Sequence, residues 1–224
     1  MTLAGDKEKK EVKVMSNLRA ANDAQAMENS RNFMNNNVFA FNLLGSPGAG
    51  KTTLLERTIA EIQNRVKLAV IEGDIYTTKD ADRIAQYGIP VSQINTGGAC
   101  HLDAHMVAKI LPRFNLEQLD MLVIENVGNL VCPADFNLGE ELKVVVLSIT
   151  EGDDKPAKYP LIFRNSRAVV LNKMDLIDLT DVDMQNLRKD ILEINPEIKI
   201  FEVSCRTNEG VDQWCNWLLE NVKK

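Results

Sequence analysis

From Val38 onward the chain carries short apolar runs at intervals: V-F-A-F-N-L-L (38–44), K-L-A-V-I (67–71), M-L-V-I (121–124), K-V-V-V-L-S-I (143–149), A-V-V-L (168–171) and I-K-I-F-E-V (198–203). Helical-length stretches separate them. Runs this short and this continuously apolar predict buried strands of a mostly parallel central sheet flanked by helices on both faces, an α/β class. Gly88-Ile89-Pro90-Val91 is expected to start a further short strand before the loop Asn95-Thr96-Gly97-Gly98. Ahead of Val38 the background is polar, and Val12, Met15, Leu18, then Met27 and Met34 recur at roughly helical spacing until Asn35-Asn36-Asn37. This predicts one or two amphipathic helices outside the sheet. The expected organisation is an N-terminal helical extension over residues 1–37 and a sheet domain over 38–224.

With 224 residues and 45% hydrophobic content, the chain can bury a sizeable core. Its formal charge of −6 and isoelectric point near 5.1 offer no basic footprint for nucleic acid or an anionic membrane, the Lys7-Glu8-Lys9-Lys10 run being too short. The opening M-T-L-A-G-D-K-E-K-K lacks the apolar stretch of a secretory signal, and no run approaches a membrane span. A cytoplasmic protein is expected. In a reducing compartment Cys100, Cys132, Cys205 and Cys215 are read as core residues, metal ligands or reactive thiols before disulfides.

G-S-P-G-A-G-K-T (45–52) follows the first apolar run and precedes a helical stretch, the setting that the phosphate-binding pattern G-x-x-x-x-G-K-S/T requires. The backbone of Gly45, Ser46, Gly48, Ala49 and Gly50, with Thr53 just beyond, is expected to wrap phosphate oxygens. Lys51 would reach the β/γ-phosphates, and the Thr52 hydroxyl would face Mg²⁺ at a helix N-terminus. N-K-M-D (172–175) matches a guanine-specificity motif: Asp175 can accept from the ring N–H and exocyclic amine of guanine, the Lys173 stem lies over the base, and Asn172 braces the loop. S-C-R (Ser204, Cys205, Arg206) follows the last run, where a base-contacting loop belongs. Together these favour GTP/GDP over ATP. Two carboxylates stand at the ends of runs, Glu125 in E-N-V-G and Asp74 in E-G-D, and are assigned to Mg²⁺ and water positioning.

Both histidines of the chain fall in G-G-A-C-H-L-D-A-H (97–105), beside a cysteine. Read as a helix from about Ala99, the segment places His101 and His105 on one face, a spacing that can share a metal. Cys100 would join His101 only if the helix start were irregular, which Thr96-Gly97-Gly98 permits, or if metals were shared between subunits. Cys132, four residues beyond Gly128, is the candidate second thiol, and Pro133 is expected to hold it extended. Thiolates and imidazoles in this number suit Ni²⁺ or Zn²⁺. The predicted ligands are Cys100, His101 and Cys132, with His105 auxiliary. Cys215 between Trp214 and Trp217 is read as core, and Cys205 as a small buried side chain.

These motifs in this order, G-S-P-G-A-G-K-T, E-G-D, G-G-A-C-H-L-D-A-H, E-N-V-G-N-L-V-C-P, T-E-G-D-D-K-P and N-K-M-D, closely resemble the HypB family, the nickel-insertion GTPases of nickel–iron hydrogenase maturation. The resemblance spans about residues 38 to 220. It implies a GTPase of the dimerising P-loop NTPase class; its basal turnover is expected to be slow, because Glu125 and Asp74 can position water and Mg²⁺ but no arginine finger is evident in the catalytic segments. It further implies a homodimer promoted by GTP, and metal near the subunit contact at Cys100, His101 and Cys132. The partners it implies are a HypA-like nickel metallochaperone and the hydrogenase large-subunit precursor. Residues 1–37 hold neither Cys nor His, so the N-terminal nickel motif of some family members is not expected. The urease accessory GTPases resemble a C-P-H pattern instead, and here Cys132-Pro133 is followed by Ala134. A zinc-stapled binding protein with negligible turnover is the reading from another class.

Overall fold

The computed structural model describes residues 4–74 and 79–222, with side chains from Arg19 onward. Among the described residues, strands β1 (Phe39–Gly45), β2 (Leu68–Asp74), β3 (Val91–Asn95), β4 (Met121–Glu125), β5 (Leu142–Ser148), β6 (Ala168–Asn172) and β7 (Lys199–Glu202) form one sheet in the order β3-β2-β4-β1-β5-β6-β7. Every pairing is parallel. Each expected run is therefore a strand, and the segment after Gly88 also begins one. The intervening helices are α1 (Ala4–Asn35), α2 (Lys51–Ile62), α3 (Lys79–Ala85), α4 (Ala104–Ile110), α5 (Lys155–Lys158), α6 (Pro160–Arg164), α7 (Met184–Ile194) and α8 (Val211–Asn221).

Side chains alternate across each strand, so the two faces bury different sets. Phe39, Phe41, Val123, Val144 and Val170 pack against α2 and α8 through Leu55, Ile59 and Trp214. On the opposite face, Ala40, Ile71 and Ile124 meet α4 and Phe33 of α1, whereas Val145, Leu147 and Val169 meet α6 and α7. Both faces are dry, which is why the strands read as unbroken apolar runs. A parallel sheet also sends every strand's carboxyl end to the same edge, where the loops bearing the candidate residues gather.

Three local expectations are corrected. The N-terminal segment is one helix of 32 residues, and its inward stripe is Asn22, Ala26, Asn29 and Phe33. Met27 and Met34 are 58% and 71% exposed; Val12, Met15 and Leu18 lie outside the described side chains. Buried asparagines displaced the methionines from the core face because they bond backbone across the contact: Asn29 Nδ2 donates to the Ala104 and Leu138 carbonyls, both at 2.9 Å. Second, the helix near the histidines begins at Ala104, not Ala99. Asp103 caps it, accepting from Met106 N at 2.7 Å, and buried Leu102 and Val107 flank the cap as a hydrophobic staple. Third, Cys132 is not extended. It opens a 3-10 turn over Cys132–Asp135, whose first turn accommodates Pro133 because the missing N–H is not needed there.

Candidate nucleotide and metal site

The loop between β1 and α2 lies under the sheet's carboxyl edge and is held from three sides. A side chain on Gly45 would collide with the Val146 carbonyl, and one on Gly50, which is left-handed at φ 94°, with the Asn172 carboxamide. Asn172 Nδ2 donates to the Ala49 carbonyl at 3.0 Å, and Lys173 Nζ to the Gly48 carbonyl at 2.8 Å. Lys51 and Thr52 are each 8% exposed at the start of α2. Beside them a cleft of about 480 Å³ is lined by Gly48, Lys51, Thr52, Asp74, Glu125 and Lys173, among others. The sequence-predicted phosphate and cation residues are thus brought together.

The cleft floor holds a carboxylate pair of which sequence reasoning named only one member. Glu72 and Glu125 are opposite one another in the β2–β4 register, 3% and 2% exposed. Burial, then the neighbouring Glu125 charge, pushes the Glu72 carboxyl up to about 11; burial also raises Glu125, against the opposing pull of Lys51. Thr52 Oγ1 donates to Glu125 Oε1 at 2.8 Å, yet Glu72 Oε2 and Glu125 Oε2 are buried without a hydrogen-bond partner. Two orphaned carboxylate oxygens beside a threonine hydroxyl are the donor set a hard divalent cation requires, so the residues fit Mg²⁺. Arg83, also missed, lines the same cleft: it bonds Glu56 Oε2 at 2.5 Å and Thr53 Oγ1 at 3.2 Å. No spacing pattern links Arg83 to the P-loop in sequence.

A second recess, next to Gly50, is lined by Thr53, Asn172, Lys173, Asp175, Cys205 and Arg206. Ser204 Oγ donates to Asp175 Oδ1 at 2.6 Å, which fixes one carboxylate oxygen. Arg206 is 3.7 Å from Oδ2 but its side chain is 80% exposed, so solvent screening leaves that pair little strength. Lys173 adopts φ 66°, and Asn172 Oδ1 receives its backbone N–H at 2.8 Å. The recess, of about 350 Å³, therefore has the room and, in Asp175, the acceptor for a flat heterocycle carrying adjacent N–H donors.

Cys100, His101 and Cys132 offer ligand atoms that all lie within 4.8 Å of one another. Cys100 Sγ is 3.5 Å from His101 Nδ1, and the His101 ring packs on Phe136 with centroids 4.0 Å apart. Burial lowers the His101 pKa, keeping the imidazole neutral as a ligand must be; the hydrogen bond with Cys132, then burial, raises that of Cys100. The irregular run before Asp103 is what lets adjacent Cys100 and His101 turn towards one point. His105 is not in the cluster: starting the helix at Ala104 places it exposed on the first turn, off the convergent trio.

The fold and both clusters can be set against known proteins. The family model "CobW/HypB/UreG, nucleotide-binding domain" matches residues 39–202. The hydrogenase maturation factor HypB of Escherichia coli K12 is 49% identical over 197 residues, covering 88% of this chain and 68% of that protein. The chain belongs to the HypB family. Among solved HypB structures, that of Archaeoglobus fulgidus superposes with a TM-score of 0.86 at 41% identity, covering 91% of this chain and all of the other. HypB of Helicobacter pylori in complex with nickel gives 0.85 at 37% identity, covering 91% and 98%. The parallel sheet with its flanking helices is thus the HypB fold, and residues 39–202 form its nucleotide-binding domain. Among the described residues no helix is long and apolar enough to cross a membrane.

Proposed function

We propose that this chain is a GTP-hydrolysing maturation factor that carries nickel, or zinc at the same site, towards a hydrogenase. The observation that carries the reading is the convergence of Cys100, His101 and Cys132 within 4.8 Å, with Cys132 close in sequence beyond Gly128 of the nucleotide cleft. Backbone N–H groups of residues 45–52 and the Lys51 ammonium would bind the triphosphate, and Asp175 would select guanine. Thr52, Asp74 and Glu125, with Glu72 facing Glu125, are the residues that would hold Mg²⁺, which when bound offsets charge on the phosphate oxygens. Glu125 and Asp74 would also orient the attacking water, and basal turnover would be slow, since Arg83, the arginine that lines the cleft, is engaged by Glu56 and Asp80. The resemblance supplies the rest of the proposal: a cytoplasmic, GTP-promoted homodimer that receives nickel from a HypA-like metallochaperone and serves the hydrogenase large-subunit precursor. Residues 1–37 act as an extension to the domain spanning 38–224.

Hydrolysis of GTP and ATP, with Ni²⁺ titrations on the same preparations, tests this. GTP alone should be turned over, and Lys51→Ala should abolish turnover. Cys100→Ala and Cys132→Ala should each weaken Ni²⁺ binding at least about tenfold, as loss of a metal's coordinating environment does, whereas Cys215→Ala should leave it unchanged. Equal use of ATP would remove the guanine assignment, and equal effects at all the cysteines would remove the metal site.

A further inference from the structure

The metal trio is connected to the phosphate loop through one residue that neither cluster includes, its backbone on the loop and its side chain on the trio. Asn129 donates its backbone N–H to the Gly45 carbonyl at 2.9 Å and forms an isolated antiparallel bridge with that first P-loop glycine. Its Oδ1 accepts from Val131 N at 2.8 Å, which pins the backbone immediately before Cys132. Its Nδ2 donates to the Cys100 carbonyl at 3.3 Å. The preceding Gly128 is in van der Waals contact with the P-loop: a Cβ there would sit 2.9 Å from both Cγ and N of Pro47.

We propose that Asn129 is the positioning residue through which the state of the nucleotide sets the geometry of the Cys100, His101 and Cys132 site. This rests on the reading of the two clusters as nucleotide and metal sites. The carboxamide is planar, so fixing Oδ1 on Val131 also fixes where Nδ2 points. A shift of Gly45 to Pro47 on phosphate binding must carry residues 128 and 129 with it, because there is neither space nor slack between them. That shift is passed to the Cys132 arm through Val131 N and to the Cys100 arm through the Cys100 carbonyl. The two thiol arms, 32 positions apart in sequence, are therefore moved by one side chain. The other flank of the segment is tied to Asn126 of the same loop, where that loop is held on β1: Leu102 N donates to Asn126 Oδ1 at 3.0 Å, and Asn126 donates its backbone N–H to the Leu43 carbonyl at 3.0 Å and its Nδ2 to Asn42 Oδ1 at 3.3 Å.

The test uses the full chain, wild type and the Asn129→Asp and Asn129→Ala variants. Asn129→Asp keeps an acceptor for Val131 N but sets an oxygen against the Cys100 carbonyl; Asn129→Ala removes both contacts while sparing the backbone bridge. Ni²⁺ dissociation constants are measured with GDP and with a non-hydrolysable GTP analogue. In the wild type the two constants should differ by about 5- to 150-fold, the usual span of coupled sites, and in both variants the ratio should fall to within about twofold of one. A purely structural loss would weaken both constants together and leave their ratio intact. A wild-type ratio retained in both variants overturns the role of Asn129. A wild type that binds Ni²⁺ equally in both nucleotide states also overturns it while leaving the metal site standing. Absence of Ni²⁺ binding removes the site reading itself.

Discussion

Cys205 and Cys215 are buried, and burial pushes their thiols up to about 11 and about 12, whereas Cys100 is exposed and Cys132 half-buried. Reaction with an aromatic disulfide reagent at pH 8 should accordingly show two fast thiols and two that react only after unfolding. Bound Ni²⁺ should protect the fast pair; four equal rates would contradict the burial. The same thiols predict a stability slope. An unfolded thiol ionises near pH 9, so between about 9 and 11–12 the unfolded chain sheds protons that the folded chain retains. Stability from these groups is whole below pH 9 and falls as pH rises, by at most about 1.4 kcal/mol per pH unit for each. Thermal melts of the Cys205→Ala, Cys215→Ala double variant should decline less steeply than wild type over that interval. At this scale the sequence disclosed the cysteines and histidines, because scarce residue types crowded together carry their own signal. Glu72 stayed hidden because its meaning lies in facing Glu125 across two strands, a register that no local pattern records.

At the scale of elements, the histidine segment and α1 share a physical lesson. Apolar periodicity located both helices, but polar side chains set where one begins and which face the other buries. The Asp103 cap moved the start of α4 past Cys100 and His101, and buried Asn22 and Asn29 turned α1 so that Met27 and Met34 face solvent. Asn22 Oδ1 accepts from Ala104 N at 2.9 Å and its Nδ2 donates to the Asn137 carbonyl at 2.9 Å, so α1 grips the chain just beyond each arm of the metal trio. Asn29→Leu would leave the carbonyls of Ala104 and Leu138 without that donor, a cost of about 1–3 kcal/mol. For a domain of this size the melting temperature should fall by roughly 2–4 °C per kcal/mol. Met34→Ser, on the exposed face of the same helix, should change stability by less than about 0.5 kcal/mol. Comparable losses in the two variants would mean that α1 is not docked by its asparagines.

Across the whole molecule, the alternation of strands and helices announced a parallel sheet, but the order β3-β2-β4-β1-β5-β6-β7 depends on crossovers that short apolar runs cannot distinguish. That order places β1 between β4 and β5, and so sets the P-loop beside the Glu125 loop. It also puts N-K-M-D and S-C-R together at the ends of β6 and β7, where Ser204 locks Asp175 at 2.6 Å. A ligand spanning both regions binds only the folded chain, and at 100 times its dissociation constant should add about 2.7 kcal/mol, or roughly 5–11 °C in melting temperature. GDP with Mg²⁺ should produce that shift and ADP should not. In Asp175→Asn the acceptor facing guanine becomes partly a donor, so the shift with GDP should largely vanish and one with xanthosine diphosphate should appear, since xanthine offers a carbonyl where guanine has its amine. The unliganded variant should melt close to wild type, because Ser204 can still donate to the carboxamide oxygen. An undiminished GDP shift in that variant would sever N-K-M-D from base selection, and loss of the shift with both nucleotides would show that residue 175 holds the pocket rather than reads the base.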